Sequence, residues 1–191
     1  MQNSSEYNSL KERIEKLIEH FDFEQDATGP NDYQQDQLRA LRLLSHAECE
    51  AYFEARAKSI IQEAKLEWRE NKTANYTLAS LFINSDRIEK KETVDTKANK
   101  IMSDYEELIQ GNHGLKEENL KKMFSPLGFD IDEVDTIFIG NLNTFGKNRG
   151  ETAHTSYQTQ QAFDKNSEIA LITQILEGIK EFDILINTYI H

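Results

Sequence analysis

Apolar residues recur at intervals of three and four along most of the chain, which is the period of one face of an α-helix. Tyr7, Leu10, Ile14, Leu17, Ile18 and Phe21 form the first such face, with Asn3, Ser4 and Ser5 as capping residues, and this helix is predicted to end near Asp22. The stretch EQDATGPND, containing Gly29-Pro30, predicts a turn. From Asp32 to Asn71 the chain has neither Gly nor Pro, and Leu38, Leu41, Leu44, Ala47, Ala51, Ala55 and Ala64 supply an apolar stripe, so one long core helix is expected.

A shorter apolar patch at Tyr76 to Ile83 precedes the polar run SDRIEKKETVDTKANK, whose charges cannot all be buried and which predicts a linker or a solvated helix start. Ile101, Met102, Tyr105, Leu108 and Ile109 make a helix face that stops at Gly111 and Gly114, and a small helix from Glu117 to Phe124 is halted by Pro126. Asp130 or Asp132 is expected to cap the segment DEVDTIFIGNLNTFGKNRGETAH. The last helix is predicted over Ser167 to Ile190, with Ile169, Ile172, Ile175, Leu176, Ile179, Phe182, Ile186 and Tyr189 inward. No strictly alternating run is long enough to predict a strand. The expected fold is all-α, an antiparallel helical bundle, with a helical N-terminal arm and turn over 1–31 and a helical domain over 32–191.

Composition agrees, since only 8 Gly and 2 Pro interrupt stretches rich in Leu, Glu, Lys, Ala and Gln. A lone cysteine, Cys49, excludes an internal disulfide framework and a cysteine-based metal site, and fits a reducing, cytoplasmic setting. The first residues lack a basic stretch followed by an apolar one, and 18 consecutive apolar residues occur nowhere, so neither an export signal nor a membrane span is expected. A formal charge of −12 repels phosphate backbones, so any contact with RNA needs a local basic patch. Walker, dinucleotide, His-Glu-x-x-His and Gly-x-Ser-x-Gly motifs are missing, which removes support for NTPase, dehydrogenase, zinc-protease and serine-hydrolase functions.

One segment concentrates chemistry. NTFGKNRGETAHTSYQ places Lys147, Arg149, Glu151 and His154 within eight positions. A guanidinium holds phosphate oxygens with a planar fork of donors, and an imidazole takes and returns a proton near neutral pH. These two abilities meet the needs of RNA cleavage by the ribose 2′-OH, which uses no metal and no cofactor in its first step. On an ideal helix Arg149 and His154 stand about 140° apart, so they converge only through distortion or through a second copy related by a two-fold axis. Lys147 is read as a phosphate contact or as a surface charge, and Thr155 as a phosphate donor or as a helix-end cap. The spacings Arg13 to His20 and Arg39 to His46 lie on long helices and are read as solvated or boundary faces, with His46 at a helix contact. Met102, Met123, Trp68 and Tyr105 sit at helical spacing and are read as core.

Arg149-Gly-Glu-Thr-Ala-His154 resembles the R-x4-H signature of the HEPN superfamily, and in particular its RiboL-PSP-HEPN branch. LRALRLLSHAECEAYFEARAKSII is similar to the long early helix of those proteins, and SPLGFDIDEVDTIFIGNLNTFGKNRGETAHTS to the lead-in to their motif. The likeness spans roughly Gln37 to Ile190. It implies a bundle that dimerises through its motif helices and cuts RNA without metal, in prokaryotic defence, toxin–antitoxin or stress responses. Arg149 and His154 are then catalytic, and Glu50, Lys147, Glu151 and Thr155 bind RNA or support the site. The implied partners are a second copy of the chain, RNA, and a partner protein or antitoxin. The residue after the arginine is polar in many active members and is Gly150 here, which motivates an alternative, a catalytically silent module for dimerisation or partner binding.

Overall fold

The computed structural model of the protein describes residues 2–24, 29–85, 92–154 and 162–190. Among them are seven α-helices and no strand: α1 (Ser5–His20), α2 (Asp32–Asn71), α3 (Tyr76–Ile83), α4 (Val94–Gln110), α5 (Glu117–Phe124), α6 (Thr136–His154) and α7 (Lys165–Ile190). Short 3-10 turns at Ser125–Leu127 and Ile131–Glu133 lead from α5 into α6. No helix among the described residues is long and apolar enough to cross a membrane.

Local chemistry sets the helix ends. Ser4 Oγ accepts the Tyr7 amide at 3.1 Å, which caps α1. At α2 the Gln34 amide donates to Asn31 Oδ1 at 3.0 Å and the Asn31 amide donates back to Gln34 Oε1 at 2.9 Å, a reciprocal capping box. Forty residues later α2 stops at Lys72, whose left-handed φ of 55° turns the chain aside. Thr93 caps α4, so the part of the polar run from Glu92 onward is a helix start, while 86–91 lie outside the described residues. That helix is not solvated on every side, because Lys97 and Ala98 are buried. The cap of α6 also differs from expectation. Asp130 caps the 3-10 turn instead, and Asp135 accepts the Ile137 and Phe138 amides at 3.3 and 3.1 Å. The 3-10 turn takes up the residues between Asp130 and Val134, which moves the first helical turn past the aspartates that sequence spacing favoured.

α2 is the central column, in contact with α1, α3, α4, α5, α6 and α7. Its buried stripe runs through Leu38, Leu41, Cys49, Phe53, Ala57, Ile60 and Ala64, whereas Leu44, Ala47, Ala51 and Ala55 are exposed. Burial follows area: Phe53 and Ile60 remove far more apolar surface from water than alanine does, and alanine in a helix reports propensity as much as core position. Trp68, Met102, Tyr105 and Met123 are all buried. Phe53, Phe124 and Phe182 meet edge to face with centroids 5.0 to 6.2 Å apart. Tyr7, Leu10, Ile14 and Leu17 of α1 join this same core.

One polar network ties the first, second and last helices. Asp183 of α7, fully buried, accepts the Ser4 amide and hydroxyl, each at 2.7 Å, and the Tyr52 hydroxyl at 2.9 Å. Arg56 Nε lies 3.2 Å from Asp183 Oδ1, at an angle that makes this an ion pair without a hydrogen bond. The Tyr52 phenol is raised well above its ordinary pKa by burial and by Asp183.

Candidate functional site

α6 carries the arginine and the histidine on one uninterrupted helix. Phe138, Ile139, Leu142 and Phe145 are its buried residues, spaced by three and four along one face, and Arg149 follows Phe145 by four. Arg149 therefore continues the inward stripe one turn beyond the point where the core ends, and it is exposed. His154 is also exposed, about 140° around the axis and about 7.5 Å further along. Neither makes a hydrogen bond or ion pair with another described residue. One protomer thus does not bring Arg149 and His154 to a common point.

Across from this stretch of α6 stands His46 of α2, with only 4% of its surface exposed. Its ring centre is 5.6 Å from that of Phe145, and a Cβ added at Gly146 would lie 4.0 Å from its Nε2. Burial first, and the Arg149 charge second, lower the His46 pKa to about 4. Glu50 Oε2, 3.6 Å from His46 Nδ1, acts in the opposite sense and is outweighed. His46 is accordingly neutral at pH 7 and lies within reach of the Arg149 charge.

Glu50 is partly buried and well occupied. Its Oε1 accepts the Gly114 amide at 2.6 Å and lies 3.9 Å from His113 Nδ1. Glu54, one turn on, places Oε1 3.8 Å from the same His113 nitrogen. Glu50, Glu54 and His113 each offer one ligand atom, all within 4.8 Å of one another, and they are the group whose geometry is compatible with a cation. The acidic side chain on the early helix is therefore beside the α2–α6 cleft, coupled to it through His46. Lys147 and Glu151 are both exposed and pair with each other at 3.8 Å across one helical turn, away from Arg149. Thr155 lies outside the described residues.

Four residues escaped the sequence reading: Arg42, Glu168, His113 and Glu54. Arg42 forms a two-pronged pair with Glu168 of α7, one arm at 2.9 Å, donates to Thr152 Oγ1 at 3.2 Å, and lies 4.1 Å over the Phe163 ring. It fastens the end of α6 that bears the motif to α2 and α7. Glu168, in the first turn of α7, is 7% exposed, and a buried carboxylate calls for a cation, but a single sequence does not say which of the nearby arginines it is. His113 and Glu54 give no sequence signal beyond their side-chain types.

Gly150, at the position that is polar in many relatives of this pattern, faces open space: a Cβ there would meet nothing within 4 Å. No steric demand holds glycine at this place. The family model described as RiboL-PSP-HEPN matches residues 8–188. No curated protein and no solved structure matches the chain.

Proposed function

The chain belongs to the RiboL-PSP-HEPN family, whose membership points to nuclease-like or RNA-related work, and on that premise we propose that it is a metal-independent endoribonuclease whose site is completed between two copies. The observation that carries this is the state of Arg149 and His154, both exposed and without partners among the described residues, on the last turns of one continuous helix. A charge-bearing and a proton-transferring group held in this way are available to a phosphodiester. Their divergence on the helix is removed when α6 meets its own copy across a two-fold axis, which gathers two arginines and two histidines in one cleft.

In that cleft one His154 removes the proton of the ribose 2′-OH, and the 2′-oxygen forms a bond to phosphorus as the bond from phosphorus to the 5′-oxygen breaks. The other His154 protonates the departing 5′-oxygen. Arg149 binds the phosphate and stabilises the charge that grows on its oxygens. The products are a 2′,3′-cyclic phosphate and a 5′-hydroxyl. Glu50 supports the site through His46, Lys147 and Glu151 on the same end of α6 bind RNA or support the site, and Thr155, next in sequence to His154, has the same part. A cytoplasmic role in prokaryotic defence or in a toxin–antitoxin stress response suits such an activity.

The test is cleavage of RNA by wild type, Arg149→Ala and His154→Ala in EDTA, with end-group analysis of products. Cyclic-phosphate ends from wild type, with at least about a hundredfold loss in each variant, are expected. Inhibition by EDTA sinks the metal-free mechanism and turns attention to Glu50, Glu54 and His113. A second reading, a catalytically silent module for dimerisation or for binding a partner, draws on Gly150 and on the −12 charge. It requires that folded dimer leave RNA intact.

A further inference from the structure

A concavity of about 790 Å³ lies between the start of α6 and the Thr173–Thr188 stretch of α7, remote from the arginine and histidine. The two helices run antiparallel, with Phe138 packed on Gly178 so closely that a Cβ there would come within 2.1 Å of the ring. Arg149 lies eleven residues beyond Phe138, about 16 Å along the axis. Phe138 and Phe182 form the floor, Leu185 a side, and Ile137, 73% exposed, stands on the lip. Ile137 extends the apolar surface of the hollow to its rim.

Charge narrows what fits. The α6 side presents Glu133 and Asp135, the α7 side Glu177 and Glu181, and the lining contains no Lys, Arg or His. Glu133 and Asp135 accept hydrogen bonds from the Tyr189 hydroxyl and from α6 amides, donors that leave their charge in place. Among the described residues Glu177 alone of the four pairs with a cation, the half-buried Lys180 at 3.1 Å. Tyr189, whose hydroxyl donates to Glu133, is pushed up to about 12 by that hydrogen bond, then by burial and the charges of Glu133 and Asp130. A second copy is a poor occupant, because a two-fold contact here would set the same carboxylates against themselves. A strand has no sheet edge to join among the described residues, whereas a ridge of helix side chains fits between two packed helices.

We propose that this groove is a docking site for a basic amphipathic helix of a partner protein, which seats apolar side chains on Phe138, Phe182 and Leu185 and sets lysines or arginines against the four carboxylates. The site is separate from the arginine–histidine end of α6, so it does not depend on whether the chain cuts RNA.

The test uses the full chain and a fluorescent helical peptide with Leu at i, i+3, i+4 and i+7 and Lys elsewhere, with a Glu-for-Lys peptide as control. Binding is followed by anisotropy against wild type, Ile137→Asp, the pair Glu177→Lys/Glu181→Lys, and the distant exposed pair Glu19→Lys/Glu63→Lys, all checked for folding by circular dichroism. Expected are binding of the Lys peptide alone, a loss of about tenfold or more in each groove variant, and no such loss in the distant pair. The proposal fails if wild type does not bind, if Ile137→Asp binds as wild type does, or if the distant pair weakens binding as much as the groove pair. A shift from dimer to monomer in Ile137→Asp on sedimentation also overturns it and assigns the face to a second copy.

Discussion

At His46 two influences compete, and the outcome is measurable. Glu50 at 3.6 Å favours the imidazolium, burial and Arg149 disfavour it, and the folded pKa falls from 6.5 to about 4. The folded state thus refuses a proton that the unfolded chain accepts. Stability from this group is complete above pH 6.5 and is lost as pH falls towards 4, at a cost of about 3 kcal/mol. Urea midpoints at pH 7.5 and 5 should show about 2 kcal/mol of that fall in wild type and a flatter response in His46→Gln. Arg149→Ala should move the His46 pKa upward by NMR titration yet leave it below 6.5, because burial is the larger cause. Gly150 offers a second residue-scale test. With nothing within 4 Å of a Cβ, Gly150→Ala should raise stability by roughly 0.5 to 1 kcal/mol in thermal melts through helix propensity alone.

Among the elements, α6 bears both the motif and the groove, and its two ends are held by different means. Asp135 caps the start, so Asp135→Ala should cost about 1 kcal/mol in urea unfolding. Further along, Phe138 rests on Gly178 of α7, and a methyl group there has no room. Gly178→Ala should destabilise by about 1 to 3 kcal/mol, and Phe138→Leu in the same chain should recover part of the loss, the sign of a direct contact in a double-mutant cycle. At the other end Arg42 clamps Thr152 and Glu168, which sets the direction in which the last turn leaves the bundle.

For the molecule as a whole, the Asp183 network makes the N-terminal helix part of the same packed unit as α2 and α7. Asp183→Ala strands a buried Arg56 and should cost about 3 to 5 kcal/mol, seen as a large drop in melting temperature. Assembly has its own test under the proposed mechanism. If both copies of His154 are needed in one cleft, mixing wild type with His154→Ala, with exchange allowed, makes activity follow the square of the wild-type fraction, so that an equal mixture retains about a quarter. A linear fall to one half would mean that each chain acts alone.

The extent of α2, the ends of α1 and α5 and the identity of the motif helix were legible in the sequence because a period of 3.6, capping residues and Gly or Pro breaks are local properties, whereas Tyr76–Ile83 showed only as an apolar patch. Asn31, Ser4 and Pro126 act where their chemistry alone says they should. The density of Lys147, Arg149, Glu151 and His154 in one short segment was likewise open to a reader of the chain. What only the tertiary structure decided is which face of each helix meets which neighbour. Leu44, Ala47, Ala51 and Ala55 have core-like spacing yet face outward, since α2 turns its larger side chains inward. His46 gains its depressed pKa from burial by packed helices and from an arginine a hundred residues away, and Glu168 finds Arg42 across a similar gap. Such pairings depend on the packing of distant helices against one another, and no local pattern in the chain encodes them.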